Sequence, residues 1–257
     1  MDMNRINQLF SLEGRVAIVT GGTRGRGMAI AEGFVDAGAA VVVASRKASA
    51  VDEAVDRLRA RGGTAIGVTA HMGELADVRA IVDATIDEYN QIDIVVNNAA
   101  TALSLPLGEL TPEAWNKVHD VNLRGPVFLI EAALPRLTAS THASVINVIS
   151  AGAFLPSPAM AMYSGTKVAL LAYTRTMAAD FAGRGIRVNA LAPGTVETDM
   201  VMNNSVEAQE RMVSACFMKR MASAEEMVGP ALFLASDASS YVTGQVVIAD
   251  GGLVPAR

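Results

Sequence analysis

The sequence predicts an α/β protein: a doubly wound sheet of seven mostly parallel strands with helices on both faces. Three observations carry this expectation. Short β-branched runs alternate with helix-length segments along the whole chain. Most of those runs are apolar throughout instead of alternating with polar residues, as strands covered on both faces must be. A glycine-rich turn also follows the first run directly and opens into a helix, the order a ligand-binding βα unit requires. Such alternation implies right-handed crossovers between neighbouring parallel strands.

The elements follow in order. Val16-Ala-Ile-Val-Thr20 is the first strand, and the helix after its turn runs over about residues 25–38, with Gly38 at its end. Val41-Val-Val-Ala-Ser45 and a helix over 49–62 come next, then Ala65-Ile-Gly-Val-Thr69 and a helix over 75–89. The fourth strand is Ile92-Asp-Ile-Val-Val-Asn97. Thr111-Pro112-Glu113 reads as an N-cap with proline at the first helical position, opening a helix over 111–138. Ser144-Val-Ile-Asn-Val-Ile-Ser150, a helix over 160–184, Arg187-Val-Asn-Ala-Leu191, a helix over 222–236 and Gln245-Val-Val-Ile-Ala249 complete the pattern. There is no internal repeat, low-complexity run or Pro/Gly/Ser-rich linker, so residues 1–257 read as one domain.

Composition narrows the function classes. Of 257 residues 51% are hydrophobic, enough for a large core, and 18% are charged. A formal charge of −5 with dispersed lysines and arginines argues against nucleic acid or an anionic membrane as partner. The lone Cys216 excludes an internal disulfide. The first ten residues lack the apolar core of a secretory signal, and every long apolar stretch is interrupted by Gly, Pro or charge. A soluble, cytoplasmic protein is expected.

The residues with chemical potential are a tyrosine and a lysine four apart. Tyr163 and Lys167 in Met-Tyr-Ser-Gly-Thr-Lys share a helix face, and Ser150 lies thirteen residues before the tyrosine at a strand end. A phenol titrates near pH 10, so one that exchanges protons near neutrality needs a partner that stabilises its anion, and an ammonium one helical turn away is such a partner. The glycine turn Thr20-Gly-Gly-Thr-Arg-Gly-Arg-Gly27 lets backbone amides approach a diphosphate at the positive end of a helix. A turn used only for strand-helix packing is the plainer alternative.

Taken together and in order, Thr20-Gly21-xxx-Gly25-x-Gly27, Asn97-Asn98-Ala99, Asn122, Ser150, Tyr163-xxx-Lys167 and Pro193-Gly194 resemble the short-chain dehydrogenase/reductase family. Thr243-Gly244-Gln245 and Asp250-Gly251-Gly252 resemble its C-terminal signature, and the resemblance spans essentially the whole chain. It implies a Rossmann-type sheet, a homotetramer, and hydride transfer between a nicotinamide cofactor and a carbonyl or alcohol. It further implies Tyr163 as acid/base, Ser150 as hydrogen-bond donor to the substrate oxygen, Lys167 on both tyrosinate and nicotinamide ribose, and Asn122 holding a water that relays protons to Lys167. No metal site is implied. The cofactor contacts it implies are Gly21, Thr23, Arg24, Gly25, Arg26, Gly27, Ser45, Arg46, Met72, Asn98, Ala99, Ala100, Tyr163, Lys167, Pro193, Gly194, Val196 and Thr198.

The chain departs from the family pattern at three places. Ala100 stands where glycine is usual, and Arg26 where a branched aliphatic residue is usual. Arg26 either reaches the cofactor phosphates or lies along the surface. His71-Met72 replaces an aspartate that often touches adenine, leaving a loop histidine and a backbone group of Met72. Cofactor choice follows from the second strand's end: Ser45-Arg46 offers no carboxylate to a ribose 2′-hydroxyl, and Arg24 can approach a 2′-phosphate from the other side, so NADP(H) is expected. The segment 198–221 carries Met200, Met202, Met212, Phe217, Met218 and Met221, which read either as an adaptable lid or as core and interface packing. With Phe154 and Leu155, the lid reading favours an apolar carbonyl substrate over a sugar. A 3-oxoacyl thioester reductase, docking its acyl carrier at Lys219-Arg220, and a catalytically silent cofactor sensor are the competing functions.

Overall fold

The structure, a computed structural model, describes residues 3–254; Met1, Asp2 and 255–257 of the proposed domain lie outside that range. Seven strands form one wholly parallel sheet in the order β3-β2-β1-β4-β5-β6-β7. They are β1 (Val16–Thr20), β2 (Ala40–Ser45), β3 (Ala65–Thr69), β4 (Ile94–Asn97), β5 (Ser144–Val148), β6 (Arg187–Pro193) and β7 (Val246–Ala249). Strand order reverses between β1 and β4, which pair directly with Ile18 beside Val95. At that switch point crossovers leave to opposite sides and open a crevice beyond the strand ends.

Alternation within each strand divides the core in two. Ala17, Val19, Val41, Val43, Ile94, Val96, Ile146 and Val148 face one layer with α2 (Gly25–Asp36), α3 (Ala48–Ala60) and α10 (Val228–Ala235). Ile18, Val42, Val95, Val145 and Val188 face the other, with α4 (Leu75–Tyr89), α6 (Gly125–Ala139) and α7 (Ala161–Phe181). The β1, β4 and β5 residues are fully covered, which is why these runs read as continuously apolar.

The remaining helices refine the sequence reading. A first helix, α1 (Met3–Phe10), was not foreseen. The expected helix over 111–138 is α5 (Pro112–His119), a π-turn (Asp120–Arg124) and α6. Thr111 caps it as anticipated, its hydroxyl accepting from the Ala114 amide at 3.2 Å. Pro126 has no N–H to offer the preceding turn, and Gly125 runs against the 72–73 loop, so the ladder widens by one residue there. The expected helix over 222–236 begins only with a 3₁₀ turn at Glu225–Met227 before α10, because Val196 and Ala222 pair as an isolated parallel bridge. Residues 198–221 hold two short helices, α8 (Asp199–Met202) and α9 (Val206–Ala215). No described helix is long and apolar enough to cross a membrane.

Two glycines in helices separate packing from propensity. A Cβ on Gly125 would stand 2.0 Å from the Met72 carbonyl oxygen, whereas one on Gly229 in α10 would meet nothing within 4 Å. Gly125→Ala should therefore lower unfolding free energy by about 1–3 kcal/mol, while Gly229→Ala should raise it by roughly 0.5–1 kcal/mol. Urea titration of both variants checks the pair; equal effects of one sign would contradict this account.

Candidate active site

The site forms where two chain reversals are sewn together at the switch point. Thr20 ends β1, and its hydroxyl donates to the Val96 carbonyl at 3.2 Å while accepting from the amides of Asn98 at 3.0 Å and Ala99 at 3.1 Å. Asn98 returns the contact, its amide nitrogen donating to the carbonyls of Thr20 at 2.9 Å and Gly21 at 3.2 Å. At Gly21 and Gly27 no side chain can be accommodated. Gly21 has φ +64°, and a Cβ there would sit 3.0 Å from Ala99 Cα; one on Gly27 would sit 2.2 Å from the Gly21 oxygen. The turn is thereby pressed flat, and α2 starts at Gly25 with its unpaired N–H groups facing the crevice.

Above this turn lies a cavity of about 510 Å³, within the range of small-molecule and cofactor sites. Of the residues picked from sequence, Gly21, Thr23, Arg24, Gly25, Arg26, Gly27, Ser45, Arg46, Met72, Asn98, Ala99, Ala100 and Thr198 line it. The bare glycine cradle, the helix start and the exposed guanidinium of Arg46 suit an elongated diphosphate-bearing cofactor. Pro193, Gly194, Val196, Tyr163 and Lys167 do not line the cavity, nor do Asn122 and Ser150. Val196 is buried in the core, and Gly194 lacks a side chain because the Asp250 Cα would lie 2.6 Å from its Cβ. Gly194 therefore packs closely against the segment after β7, and Val196 pairs with Ala222.

Lys117, Glu197, Asp199 and Thr101 also line the cavity and were missed. Only Thr101, adjoining Asn98-Ala99-Ala100, had a local signal. Asp199 matters most, because its carboxylate pairs with Arg24 at 2.5 Å, both side chains being exposed. Arg24 is thus held toward α8. His71 turns its ring onto its own loop, Nδ1 accepting from the Gly73 amide at 3.1 Å. The loop reading of this residue fits, although the ring edges the cavity.

The tyrosine and lysine occupy the first turns of α7. Tyr163 is 8% exposed and Lys167 1%, and the ammonium stands 5.6 Å from the tyrosine ring centroid. Lys167 Nζ donates to the Val148 carbonyl at 2.8 Å. Burial, and secondarily the positive charge of Arg26, push Lys167 down from its ordinary 10.5 to about 7. Ser150 follows β5 and caps a 3₁₀ turn, its oxygen accepting from the Gly152 amide at 3.1 Å and leaving its proton to donate elsewhere.

Asn122 is fully buried in the π-turn. Its carbonyl accepts from the Thr101 amide at 2.8 Å, and its amide nitrogen donates to the Thr101 carbonyl at 2.9 Å and to Thr166 Oγ1 at 3.2 Å. Thr166 in turn donates to the Tyr163 carbonyl at 2.7 Å. Both amide protons are committed, so the side chain is a clamp between the loop after β4 and the first turn of α7. Any water that Asn122 holds must sit on its remaining lone pair or its main chain.

This fold and site define a Rossmann-type oxidoreductase, and comparison with known proteins agrees. The family model described as enoyl-(acyl carrier protein) reductase matches residues 21–254. Short-chain dehydrogenase/reductase SDRA of Arabidopsis thaliana is 40% identical over 249 residues, covering 96% of both chains. A gluconate 5-dehydrogenase of Burkholderia cenocepacia, solved with NADP and tartrate, superposes with a TM-score of 0.92 at 34% identity, covering 98% of this chain and 100% of its own. A 3-oxoacyl (acyl-carrier-protein) reductase of Agrobacterium tumefaciens with NADP bound gives 0.90 at 34% identity, covering 96% and 97%. The chain belongs to the short-chain dehydrogenase/reductase family.

Lys167 leaves a signature in stability. Below pH 7 both the folded and the unfolded chain carry its proton, and the fold bears the buried ammonium. Between about 7 and 10.5 the unfolded chain binds more proton, so stability rises with pH across that window. Lys167→Met should flatten the rise, measured as the change in urea midpoint from pH 6.5 to 9; an unaltered slope would mean that Lys167 titrates normally.

Proposed function

We propose that this protein is an NADP(H)-dependent oxidoreductase that interconverts a ketone or aldehyde and an alcohol, with Tyr163 as acid/base. The observation that carries the reading is the Tyr163–Lys167 pair on one face of α7, the lysine buried beneath the tyrosine ring and within electrostatic reach of the glycine-turn cavity. The nicotinamide, when bound, supplies or accepts the hydride. In the reductive direction Tyr163 gives its proton to the carbonyl oxygen as negative charge develops there, and Ser150 donates a hydrogen bond to the same atom. Lys167, held by Val148, stabilises the tyrosinate and binds the ribose hydroxyls. Asn122 fixes the turn that carries Tyr163 through Thr166. The whole chain acts as one catalytic domain, with 198–221 as its lid.

Preference for the phosphorylated cofactor rests on Arg46, which is exposed at the end of β2 and has no ion-pair partner among the described residues. NADP in the related structures supports this reading. Arg24 contributes only after leaving Asp199. The substrate reading rests on Met200 and Met202, which line the cavity, and on the exposed Phe154 nearby in sequence to Ser150. A sugar would bury hydroxyls there without partners. A 3-oxoacyl thioester reductase is the second reading, favoured by one structural relative. Its expected docking pair is engaged within the chain: Arg220 binds both oxygens of Glu226 at 2.6 and 2.7 Å, and Lys219 donates to the Ser214 carbonyl at 2.6 Å.

Three experiments test this. Arg46→Ala should weaken NADPH about tenfold to a hundredfold, as loss of a hydrogen bond to a charged group implies, and leave NADH nearly unchanged in fluorescence titrations; equal losses would refute the phosphate assignment. NADPH oxidation should be faster, as kcat/KM, with an aryl ketone than with a ketose, and Tyr163→Phe should lower kcat by about a hundredfold or more while NADPH binding stays close to wild type. Near-normal turnover in that variant would place the proton donor elsewhere.

A further inference from the structure

Arg26 is the residue of the glycine turn whose presence the fold does not explain. It lies on the first turn of α2, half-buried, and lines the cavity. Its Nε donates to Asn98 Oδ1 at 2.9 Å, and Asn98 is itself pinned by its two bonds to the Thr20 and Gly21 carbonyls. The guanidinium is therefore aimed into the cavity by a rigid support and is not a swinging surface group. Its two terminal nitrogens have no hydrogen-bond or ion-pair partner among the described residues. Arg24, two residues earlier, has Asp199; Arg26 has no carboxylate.

Lys167, bonded to the Val148 carbonyl, likewise has no carboxylate partner among the described residues. On its own helix it faces Tyr163, and from α2 the charge of Arg26 acts on it. From the π-turn, Asp120 and Arg124 pair with each other at 3.1 Å, α5 contributes Lys117 at the cavity wall, and the charged residue of β6, Arg187, lies at the far end of the sheet bonded to Ser239. Arg26 lines the cavity, and its positive charge acts on Lys167, which is buried outside that lining. Of the two carboxylates at the cavity wall Asp199 is taken by Arg24 and Glu197 has no ion pair among the described residues, so the repulsion between the two cations is relieved when a negative group enters beside Arg26.

We propose that Arg26 is a positioning residue that receives the cofactor diphosphate and, once neutralised by it, lets Lys167 hold its proton, so that cofactor binding charges the lysine on which Tyr163 depends. This rests on the NADP(H) reading above. The diphosphate is common to NADPH and NADH, so Arg26 acts on both, unlike Arg46. It also accounts for a cation where the family carries an aliphatic side chain.

The test is calorimetric titration of NADPH and NADH at pH 8 in two buffers of different ionisation enthalpy, for the wild type, Arg26→Leu and Arg26→Lys. The wild type should take up protons on binding either cofactor. Arg26→Leu should weaken both by about tenfold to a hundredfold and take up fewer protons, because its Lys167 already carries more of its proton in the free protein; Arg26→Lys should recover part of both effects. Arg26→Leu binding both cofactors as tightly as the wild type, or with the same proton uptake, overturns the inference while leaving the cofactor reading intact. Failure of the wild type to bind either cofactor overturns both.

Discussion

The site depends on one close approach: the turn after β1 pressed against the loop after β4. Thr20, Gly21, Gly27, Asn98 and Ala99 meet there at distances that admit no extra atom. Because β1 and β4 are neighbours with crossovers leaving to opposite sides, the contact marks the mouth of the sheet. It orients the start of α2, forms the floor of the cavity and supplies the anchored Asn98 that aims Arg26. Two motifs nearly eighty residues apart in the chain are in effect one structural unit.

A second seam carries order from that floor to Tyr163 and Lys167. Asn122, displaced inward by the π-turn, ties Thr101 to Thr166, and Thr166 ties back to Tyr163. Beneath it, Asn97 donates to Asn147, and Asn147 to Thr174, each at 2.9 Å, so that buried amides link β4, β5 and α7. Asn97 Oδ1 is buried without a hydrogen-bond partner, but the bonds these amides do make hold α7 to the sheet. Tyr163 and Lys167 inherit their placement from that fixation.

The helices of segment 198–221, the proposed lid, are loosely held. The helices α8 and α9 have no fully buried residue, and their link to the glycine turn is the exposed Arg24–Asp199 pair. An ion pair of this exposure contributes little stability in water, so the segment can yield to a ligand without disturbing the core. Its methionines supply a surface of adjustable shape facing the cavity through Met200 and Met202.

Sequence by itself determined the sheet, because covered parallel strands must be continuously apolar and glycines must stand where backbones nearly touch. It also placed Tyr163, Lys167 and the glycine turn, whose spacing expresses helix periodicity and close approach directly. The break of the long helix at Asp120–Arg124, the true register of α10 and the helix α1 were not legible. The first two are set by contacts with the Met72 loop and Val196, distant in sequence. Tertiary structure alone decided that Val196 is buried and Gly194 lies against Asp250, that Arg24 is held by Asp199, and that Arg26 turns inward. Local pattern records which faces are buried, but the partner of a charged side chain is chosen by whichever segment folding brings beside it.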